Sequence, residues 1–368
     1  MSEIISFYNK LMPDLFEFVV KQWKPRMLAA GVDHNDLERI LSSIGSWNQW
    51  RDVWSRSGDE HMKSGDEAFE NKNYITAGAF YRRAALAYHY AHYMWFSDEA
   101  EKQETYKKSM EAFKKAAPLL RPAAHRIEVP WKNEIIPGYV RIPPNATKPP
   151  VLFLVSGADA WKEELCSFTD FFLERGIATV TFDGPAQGEL SHLNLERTNY
   201  EDAVSTLLDW IIENYPELDT ERVGLTGISM GGYLAPRCAS ADPRFKAACG
   251  IGGPFDFSEF EQKIPPLLKV DLAHLMGFED WENLYAKAND VVNLSDVIEN
   301  LRCPLLIVHG ALDQIITVDN AHKIIAAAKN CEDKELKIYE DGNHVCNNYV
   351  YSYRPYVADW IAKRLFAR

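Results

Sequence analysis

The stretch Gly227-Ile228-Ser229-Met230-Gly231 carries more information about the fold than any other part of this chain. It follows a short apolar run, Arg222 to Thr226, and it opens a segment with helical character, Met230 to Ser240. A strand, Gly-x-Ser-x-Gly and a helix, in this order, predict a nucleophile elbow, which strains the serine backbone and exposes its hydroxyl. Glycines flank the serine because larger side chains would collide in so tight a turn. The motif therefore predicts that Ser229 is a catalytic nucleophile.

On both sides of the motif, from residue 125 to the end, the chain alternates apolar runs and helical segments. The apolar runs predicted as strands are 151–155, 178–182, 223–226, 247–251, 305–308 and 336–339, after a hairpin at 126–129 and 136–142. The helices predicted between them are 163–174, 200–214, 230–240, 320–329 and 349–365. Near-continuous apolar strands joined by crossover helices predict an α/β fold with a mostly parallel, doubly wound sheet. Ligands of such sheets bind beyond the carboxyl ends of the strands.

Two intervals depart from this alternation. The interval from Ile251 to Leu305 is too long for one crossover, so a helical excursion is predicted at about 255–300. The loop Asp183-Gly-Pro-Ala-Gln-Gly188 is rich in glycine and proline, which predicts a shaped turn with a structural role.

The first part of the chain, residues 1–124, has no convincing strand pattern and is predicted to be an all-helical domain preceding the domain 125–368. Trp47, Trp50 and Trp54 are spaced as on one helical face and are predicted to be core residues. The helices resemble tetratricopeptide pairs, but no clean repeat of about 34 residues is present. Tyr81, Tyr88 and His89 are predicted as possible substrate-pocket residues, with a buried structural role as the alternative.

A serine nucleophile requires a base and a carboxylate that orients the base. Asp313 follows the strand that ends near residue 309, and His344 follows the strand 336–339. The chain order serine, aspartate, histidine is that of the α/β-hydrolases, and all three residues lie at the same predicted edge of the sheet. Three competitors are weaker: His309 lies on a strand, Asp319 suits a helix N-cap, and His192 lies in a loop of solvated character. The predicted catalytic residues are therefore the serine, Asp313 and His344.

The oxyanion that forms on the substrate requires two fixed hydrogen-bond donors. The amide of Met230, directly after the nucleophile, is predicted to supply one of them. The loop 156–159, after the first central strand, is predicted to supply the other. Ala158 is the preferred donor, and its neighbours Gly157 and Asp159 are the alternatives.

Composition narrows the class of protein. Hydrophobic residues make up 46% of the 368 residues and charged residues 25%, as in ordinary globular proteins. The net charge of −13 argues against nucleic acid as a partner. The start of the chain lacks the pattern of a signal peptide, and no apolar run approaches about 18 residues, which predicts no membrane span and a cytoplasmic protein. The six cysteines form no metal-binding pattern and no phosphate loop is present, so neither a metal nor another cofactor is predicted.

Four stretches carry a resemblance to a known family: 156–164, 183–188, 227–232 and Gly342-Asn-His344. They resemble a group of α/β-hydrolases with an N-terminal helical domain, which includes 2,6-dihydroxypseudooxynicotine hydrolase, fungal polyketide chain-shortening hydrolases and fermentation–respiration switch proteins. The resemblance extends over nearly the whole chain, including the helical front with its three tryptophans. One departure is Ser156-Gly157, which stands where the family is expected to have Gly-Gly.

This resemblance implies that Ser229, His344 and Asp313 hydrolyse a carbon–carbon bond next to a ketone in an aryl or polyketide-like small molecule. It also implies a helical cap that roofs the active site, and a homodimer. Cleavage of a carbon–carbon bond releases a carbanion, so an additional acid near the leaving group is expected. Glu259 is the preferred candidate, with Asp256 and Glu261 as alternatives and a helix-start carboxylate as the structural interpretation.

Two other functions fit the same residues. A carboxylesterase acting on small aromatic esters would use an identical set of catalytic residues. A non-catalytic regulatory or interaction protein on a hydrolase fold would bind a partner through its helical front, and its Ser229 would not react with a fluorophosphonate.

Overall fold

A computed structural model describes residues 2–367 of the chain. It divides into two compact units, Met1–Arg126 and Ile127–Arg368. Within the described residues, no helix has the length and apolar character needed to cross a membrane.

The first unit is helical. Its helices are α1 (Glu3–Ala30), α2 (His34–Ser42), α3 (Trp50–Glu70), α4 (Tyr74–His92) and α5 (Glu99–Ala116), with single 3₁₀ turns at Trp47–Gln49 and Ala117–Leu119. The ends of α1 follow from the sequence: the Ser2 hydroxyl accepts a hydrogen bond from the Ile5 amide, and Gly31 ends the helix at a φ of 107°. Gly65 lies within α3 and packs against the Tyr81 ring of α4, where an added Cβ atom would lie 2.6 Å from that ring.

The core of the first unit is aromatic. Trp47, Trp50 and Trp54 are at most 2% exposed, which confirms the prediction that they are core residues. The indole N–H of Trp47 donates to the Tyr8 hydroxyl, and that of Trp50 donates to the carbonyl of Tyr90. Large apolar rings with satisfied polar atoms stabilise a core at little cost in desolvation.

Tyr81, Tyr88 and His89 all lie on α4 and are almost fully buried. The hydroxyl groups of Tyr81 and Tyr88 donate to Asp66 and Asp59 of α3, respectively. Burial, together with hydrogen bonding to Asp66, raises the pKa of Tyr81 to about 12. The His89 ring packs edge-to-face against the ring of His92. These contacts show a role in packing α4, and a contact of these three residues with substrate stays a prediction.

The second unit contains an eight-stranded sheet in the order β1-β2-β4-β3-β5-β6-β7-β8. The strands are β1 (Ala124–Trp131), β2 (Glu134–Arg141), β3 (Pro150–Val155), β4 (Ala178–Phe182), β5 (Asp219–Ile228), β6 (Phe245–Ile251), β7 (Leu305–Gly310) and β8 (Lys334–Tyr339). Strand β2 pairs antiparallel with β4, and the strands from β4 to β8 are parallel. The predicted α/β-hydrolase fold is confirmed by this topology.

Helices connect these strands. They are α6 (Cys166–Leu173), α7 (Asn199–Asn214), α8 (Met230–Ala241), α9 (Phe260–Lys263), α10 (Pro266–Met276), α11 (Trp281–Val291), α12 (Asp319–Ala327) and α13 (Val350–Leu365). Three of them, α9 to α11, lie between β6 and β7, in the interval where the sequence predicts a helical excursion. Helices α6 and α13 pack with the central strands in a cluster of buried apolar side chains that includes Leu152, Ile251 and Val308.

The start of α6 differs from the sequence-based prediction. The helix was expected from residue 163 and begins at Cys166. Residues 162–165 form turns instead, because Lys162 and Glu163 belong to a buried ion-pair cluster that the periodicity of apolar residues does not reveal.

Candidate active site

Ser229 lies at a sharp turn between β5 and α8, with a φ of 58° and a ψ of −118°. A non-glycine residue in this region carries about 1–3 kcal/mol of strain and persists only where the surroundings enforce it. The two glycines of the motif allow the turn: a Cβ atom on Gly227 would lie 2.0 Å from the carbonyl oxygen of Gly231, and one on Gly231 would lie 2.3 Å from that of Val155. The predicted nucleophile-elbow geometry is therefore present at Ser229.

The imidazole of His344 lies between Ser229 and Asp313. Its Nε2 is 2.9 Å from the Ser229 Oγ, and its Nδ1 is 2.8 Å from the Asp313 Oδ2. Because a carboxylate only accepts hydrogen bonds, Nδ1 carries a proton and the neutral ring leaves Nε2 as the acceptor for the serine proton. The structure thus brings together the three residues that the sequence predicted as catalytic, in hydrogen-bonding geometry.

Asp313 is held by more than this one contact. Its Oδ1 accepts hydrogen bonds from the amides of Ile315 and Ile316 at 2.8 and 3.0 Å. Burial by itself would raise the pKa of this carboxyl, but its interaction with His344 and the hydrogen bond from the Ile316 amide outweigh burial and lower the pKa below its usual value. Asp313 is therefore ionised at neutral pH and holds His344 in the tautomer that can accept a proton.

The loops that carry Asp313 and His344 are in close contact. A Cβ atom on Gly310 would lie 2.3 Å from the carbonyl oxygen of Gly342, so the end of β7 and the His344 loop approach each other at backbone distance. Val345, directly after the histidine, has a φ of 50°, which is rare for a β-branched residue. It packs against Gly252, where an added Cβ atom would lie 2.7 Å from the Val345 side chain. Tertiary packing thus fixes the backbone on which His344 is placed.

The loop after β3 lies beside the nucleophile. A Cβ atom on Gly157 would lie 3.3 Å from the Cβ atom of Ser229, so this loop touches the elbow. Met230 is the first residue of α8, and the first amides of a helix have no acceptor within the helix. Ala158 is half-buried in the turn that follows Gly157. Met230 and Ala158 stay our predictions for the two oxyanion donors, and Gly157 and Asp159 stay the alternatives.

Glu259 precedes the short helix α9 and is exposed. Its carboxylate lies 2.5 Å from the ammonium group of Lys263, and this hydrogen bond lowers the pKa of Glu259. It lines a small cleft together with Ile315 and Ile316, the residues whose amides bind Asp313. The alternative acid Asp256 lines the same cleft and accepts a hydrogen bond from the Ser258 hydroxyl.

The three weaker candidates occupy other positions. His309 is fully buried on β7, and its Nε2 donates to the carbonyl of Ile316, which supports the turn after Asp313. Asp319 is the first residue of α12 rather than its N-cap, which is Val318. His192 is exposed and lies 3.2 Å from Glu134.

A buried polar cluster that no sequence pattern predicts joins the loops after β3 and β4. Lys162 and Asp183 are both fully buried, with 2.5 Å between Nζ and Oδ2, and Glu163 and Glu189 also contact the Lys162 ammonium. Burial raises the pKa of Glu163 more than the nearby lysine lowers it. The glycine- and proline-rich loop 183–188 indicated a shaped turn, but no pattern in the sequence indicates that the Asp183 carboxylate pairs with Lys162, 21 residues earlier.

Among residues 2–367, no group of three or more histidine, cysteine, aspartate or glutamate side chains is arranged to hold a metal ion.

Comparisons with known proteins agree with this geometry. The chain is 29% identical to the 2,6-dihydropseudooxynicotine hydrolase of Paenarthrobacter nicotinovorans over 349 residues, which cover 93% of this chain and 91% of that protein. It is 33% identical to the 20-hydroxy-prefusarin hydrolase of Gibberella moniliformis over 237 residues, 60% of this chain and 55% of that longer protein. The crystal structure of 2,6-dihydroxy-pseudo-oxynicotine hydrolase superposes with a TM-score of 0.86 at 27% identity, covering 93% of this chain and 95% of that chain.

A family model supplies the assignment. The model of FrsA-like esterases matches residues 21–366, which cover most of both compact units and include every residue of the site described above. Helices α2 to α5, the mostly parallel sheet and the serine at the elbow all fall within this match. This chain therefore belongs to the FrsA-like esterase family and has the α/β-hydrolase fold.

Proposed function

We propose that this protein is a serine-nucleophile hydrolase that cleaves a carbon–carbon bond next to a ketone in an aryl ketone or polyketide-like small molecule. The observation that carries the proposal is the position of His344, within hydrogen-bonding distance of both Ser229 and a buried, ionised Asp313. The resemblance to hydrolases of ketonic bonds, and the similarity to proteins named as hydrolases of a pseudooxynicotine and of a prefusarin, support the choice of substrate class.

The proposed reaction begins with proton transfer from Ser229 to the Nε2 atom of His344 while Oγ attacks the ketone carbon. The amides of Met230 and Ala158 would donate to the oxyanion of the tetrahedral intermediate. Collapse of that intermediate breaks the carbon–carbon bond and leaves an acyl-enzyme on Ser229. The departing carbon is protonated with the proton that His344 removed from Ser229, which passes to it directly or through an additional acid, and His344 becomes neutral again. His344 then takes a proton from the water that attacks the acyl-enzyme ester, and it returns this proton to the Ser229 Oγ as the carboxylic acid is released.

A carboxylesterase acting on small aromatic esters is the second candidate, because the family is described as one of esterases. The two functions differ in the leaving group: an ester releases an alkoxide, whereas a ketone releases a carbanion that must be protonated or delocalised. We expect the wild type to hydrolyse aryl β-diketones and acyl-phenols at the carbon–carbon bond, with kcat/KM at least about tenfold above that for activated esters of the same acyl group. Product analysis by mass spectrometry measures the turnover of the ketones and of the esters. Turnover of esters alone would favour the carboxylesterase.

Glu259 is our candidate for the acid that protonates the leaving carbon. Its ion pair with Lys263 keeps it ionised, so this role requires that bound substrate separates the two groups and that Glu259 first takes up the proton that His344 removed from Ser229. If it acts in this way, Glu259→Gln lowers the rate of carbon–carbon cleavage by about 10²-fold or more, since general acids contribute on this order. The rate at which the same variant hydrolyses an activated ester is expected to stay within about twofold of the wild-type rate. An alkoxide leaving group depends less on a general acid than a carbanion does.

Glu261→Gln is the matched control for this experiment, because Glu261 is another exposed glutamate of the same segment. Equal losses on ketone and ester substrates, or no loss on either, would contradict a role for Glu259. A loss of carbon–carbon cleavage in Glu261→Gln but not in Glu259→Gln would assign the role to Glu261.

Three further proposals accompany this function: a small-molecule substrate, a homodimer and a cytoplasmic location. The homodimer is implied by the family resemblance and is supported by an exposed apolar group at the turn between α3 and α4, namely Phe69, Tyr74 and Ile75. The cytoplasmic location is supported by the six cysteines, all of which are free thiols, as in proteins of reducing compartments. The roles of the first unit as a cap and as a dimerisation domain stay predictions from the resemblance.

A further inference from the structure

We propose that Gln187 is a positioning residue, which orients the two peptide groups after β3 so that their amides are preset for the oxyanion. The proposal rests on the proposed function, since it concerns the same Ser229 site. The observation behind it is a contact between two loops. The carboxamide of Gln187, in the loop after β4, donates hydrogen bonds to the backbone of the loop after β3.

Gln187 is 2% exposed, and its Nε2 donates to two successive carbonyl groups. The distances are 3.0 Å to the oxygen of Ser156 and 2.9 Å to the oxygen of Gly157. A carbonyl oxygen only accepts hydrogen bonds, so these two contacts require that the nitrogen, not the oxygen, of the carboxamide faces the loop.

The oxygen of the same carboxamide is also bound. It accepts a hydrogen bond from the Tyr200 hydroxyl at 2.7 Å and one from the Gly184 amide at 3.3 Å. Tyr200 is fully buried, and burial raises the pKa of its phenol well above its usual value, so the hydroxyl stays protonated and remains a donor. With both protons and the oxygen engaged, the Gln187 side chain has one satisfied orientation.

The planarity of the peptide bond connects these contacts to the oxyanion. The carbonyl of Ser156 and the amide of Gly157 belong to one peptide unit, and the carbonyl of Gly157 and the amide of Ala158 belong to the next. In a trans peptide the N–H points opposite to the C=O, so binding both carbonyl groups on one side directs both amides to the other side. Gln187 thus sets the direction of Gly157 N–H and Ala158 N–H, two of the candidate oxyanion donors.

A second contact holds the far end of the same segment. Asp183 accepts hydrogen bonds from both the backbone amide and the ammonium group of Lys162, and its Oδ2 also accepts from the amide of Glu189. The loop after β3 is therefore bound at residues 156–157 by Gln187 and at Lys162 by Asp183. The residues between these two points, 158–161, include the predicted donor Ala158.

The segment is close enough to the nucleophile for its position to matter. Gly157 is in contact with the elbow, since an added Cβ atom would lie 3.3 Å from the Cβ atom of Ser229. Donors must lie about 2.7–3.1 Å from the oxyanion, so a rotation of either peptide plane removes the interaction. An apolar isostere of Gln187 would leave two buried carbonyl groups without their donor, and the loop would be expected to rotate.

The experiment compares Gln187→Met with the wild type. Loss of one oxyanion donor costs about 10²–10³-fold in kcat, and a misdirected donor is expected to cost about 10–10²-fold with KM within about twofold. A boronic acid analogue, whose tetrahedral adduct carries an oxyanion, should lose affinity by the same factor, while the affinity of the carboxylate product stays unchanged. Hydrogen exchange should become faster at the amides of Gly157 and Ala158.

Tyr200→Phe removes the hydroxyl that orients Gln187, and it should produce a smaller loss of kcat in the same direction. The double variant should lose no more kcat than Gln187→Met alone, because both changes act through one interaction.

Tyr233→Phe is the matched control: Tyr233 is also a buried tyrosine of this unit, and its hydroxyl donates to the carbonyl of Val291. It should lower stability by a similar amount and leave kcat and the analogue affinity unchanged.

The outcomes separate the two proposals. If Ser229→Ala abolishes turnover but Gln187→Met retains wild-type kcat and wild-type exchange at residues 157–158, the positioning role is overturned and the proposed function stands. If Gln187→Met and Tyr233→Phe change kcat and KM to the same extent, the role of Gln187 is structural only. If the folded wild type neither turns over substrate nor reacts with a fluorophosphonate, the proposed function fails, and the oxyanion role of Gln187 fails with it.

Discussion

Ser229→Ala is expected to lower kcat/KM by about 10⁶-fold, because loss of a triad nucleophile typically costs on this order. The residual rate would come from binding and oxyanion stabilisation, which remain when the hydroxyl is gone. The measurement is steady-state turnover of an aryl ketone, with fluorophosphonate labelling followed by intact mass. The wild type should gain one adduct on Ser229, and the variant should gain none.

The control for this prediction is Ser240→Ala. Ser240 is a buried serine of the same helix α8, and its hydroxyl donates to the carbonyl of Pro236 at 2.7 Å. Its replacement should change stability by about 1 kcal/mol and leave labelling intact. Wild-type turnover by Ser229→Ala, or a folded wild type that does not label, would contradict the proposal and favour a non-catalytic regulatory or interaction protein.

The same variant offers a route to the substrate. Ser229→Ala keeps a small side chain at the φ of 58° and removes only the hydroxyl, so the site that binds substrate is expected to stay intact. A metabolite that remains bound to this variant through purification and is absent from the Ser240→Ala control would identify the compound class. Retention of the same metabolite by both variants would mark it as unrelated to the reaction.

Asp313→Asn has the second-largest expected effect, a loss of about 10⁴-fold in kcat, the size known for the equivalent change in the Ser-His-Asp enzymes. The amide can donate where the carboxylate only accepts, which favours the His344 tautomer with its proton on Nε2. That tautomer cannot take the proton of Ser229. Asp319→Asn is the control, since Asp319 lies six residues on, in the first turn of α12, and it should retain nearly full activity.

The pH dependence of stability gives this prediction a second readout. The pKa of Asp313 is lowered in the folded protein, so its contribution to the free energy of unfolding is fully present above the unfolded-state pKa of about 3.9. The contribution is lost as the pH falls through the lower folded pKa, because the unfolded state then binds the proton more readily. Asp313→Asn should therefore unfold with a shallower loss of stability below about pH 4, as measured by urea denaturation. Unchanged acid sensitivity together with full activity would contradict the assigned role.

Local sequence signals were sufficient to predict the nucleophile and its partners. The elbow depends on a few adjacent residues, because Gly227 and Gly231 are the positions where a side chain would collide with the backbone. Asp313 and His344 could be predicted because parallel strands end at one edge of a sheet, so a residue following each strand reaches the same region. The alternation of apolar strands and helices likewise predicted a mostly parallel sheet with crossover helices.

Tertiary structure alone decided how the surroundings of these residues are held. The pairing of Lys162 with Asp183, and of Gln187 with the carbonyl groups of Ser156 and Gly157, joins loops that no local pattern connects. The physical reason is that backbone strain and apolar periodicity depend on neighbouring residues. The partner of a buried polar group depends instead on packing between segments that are distant in the chain.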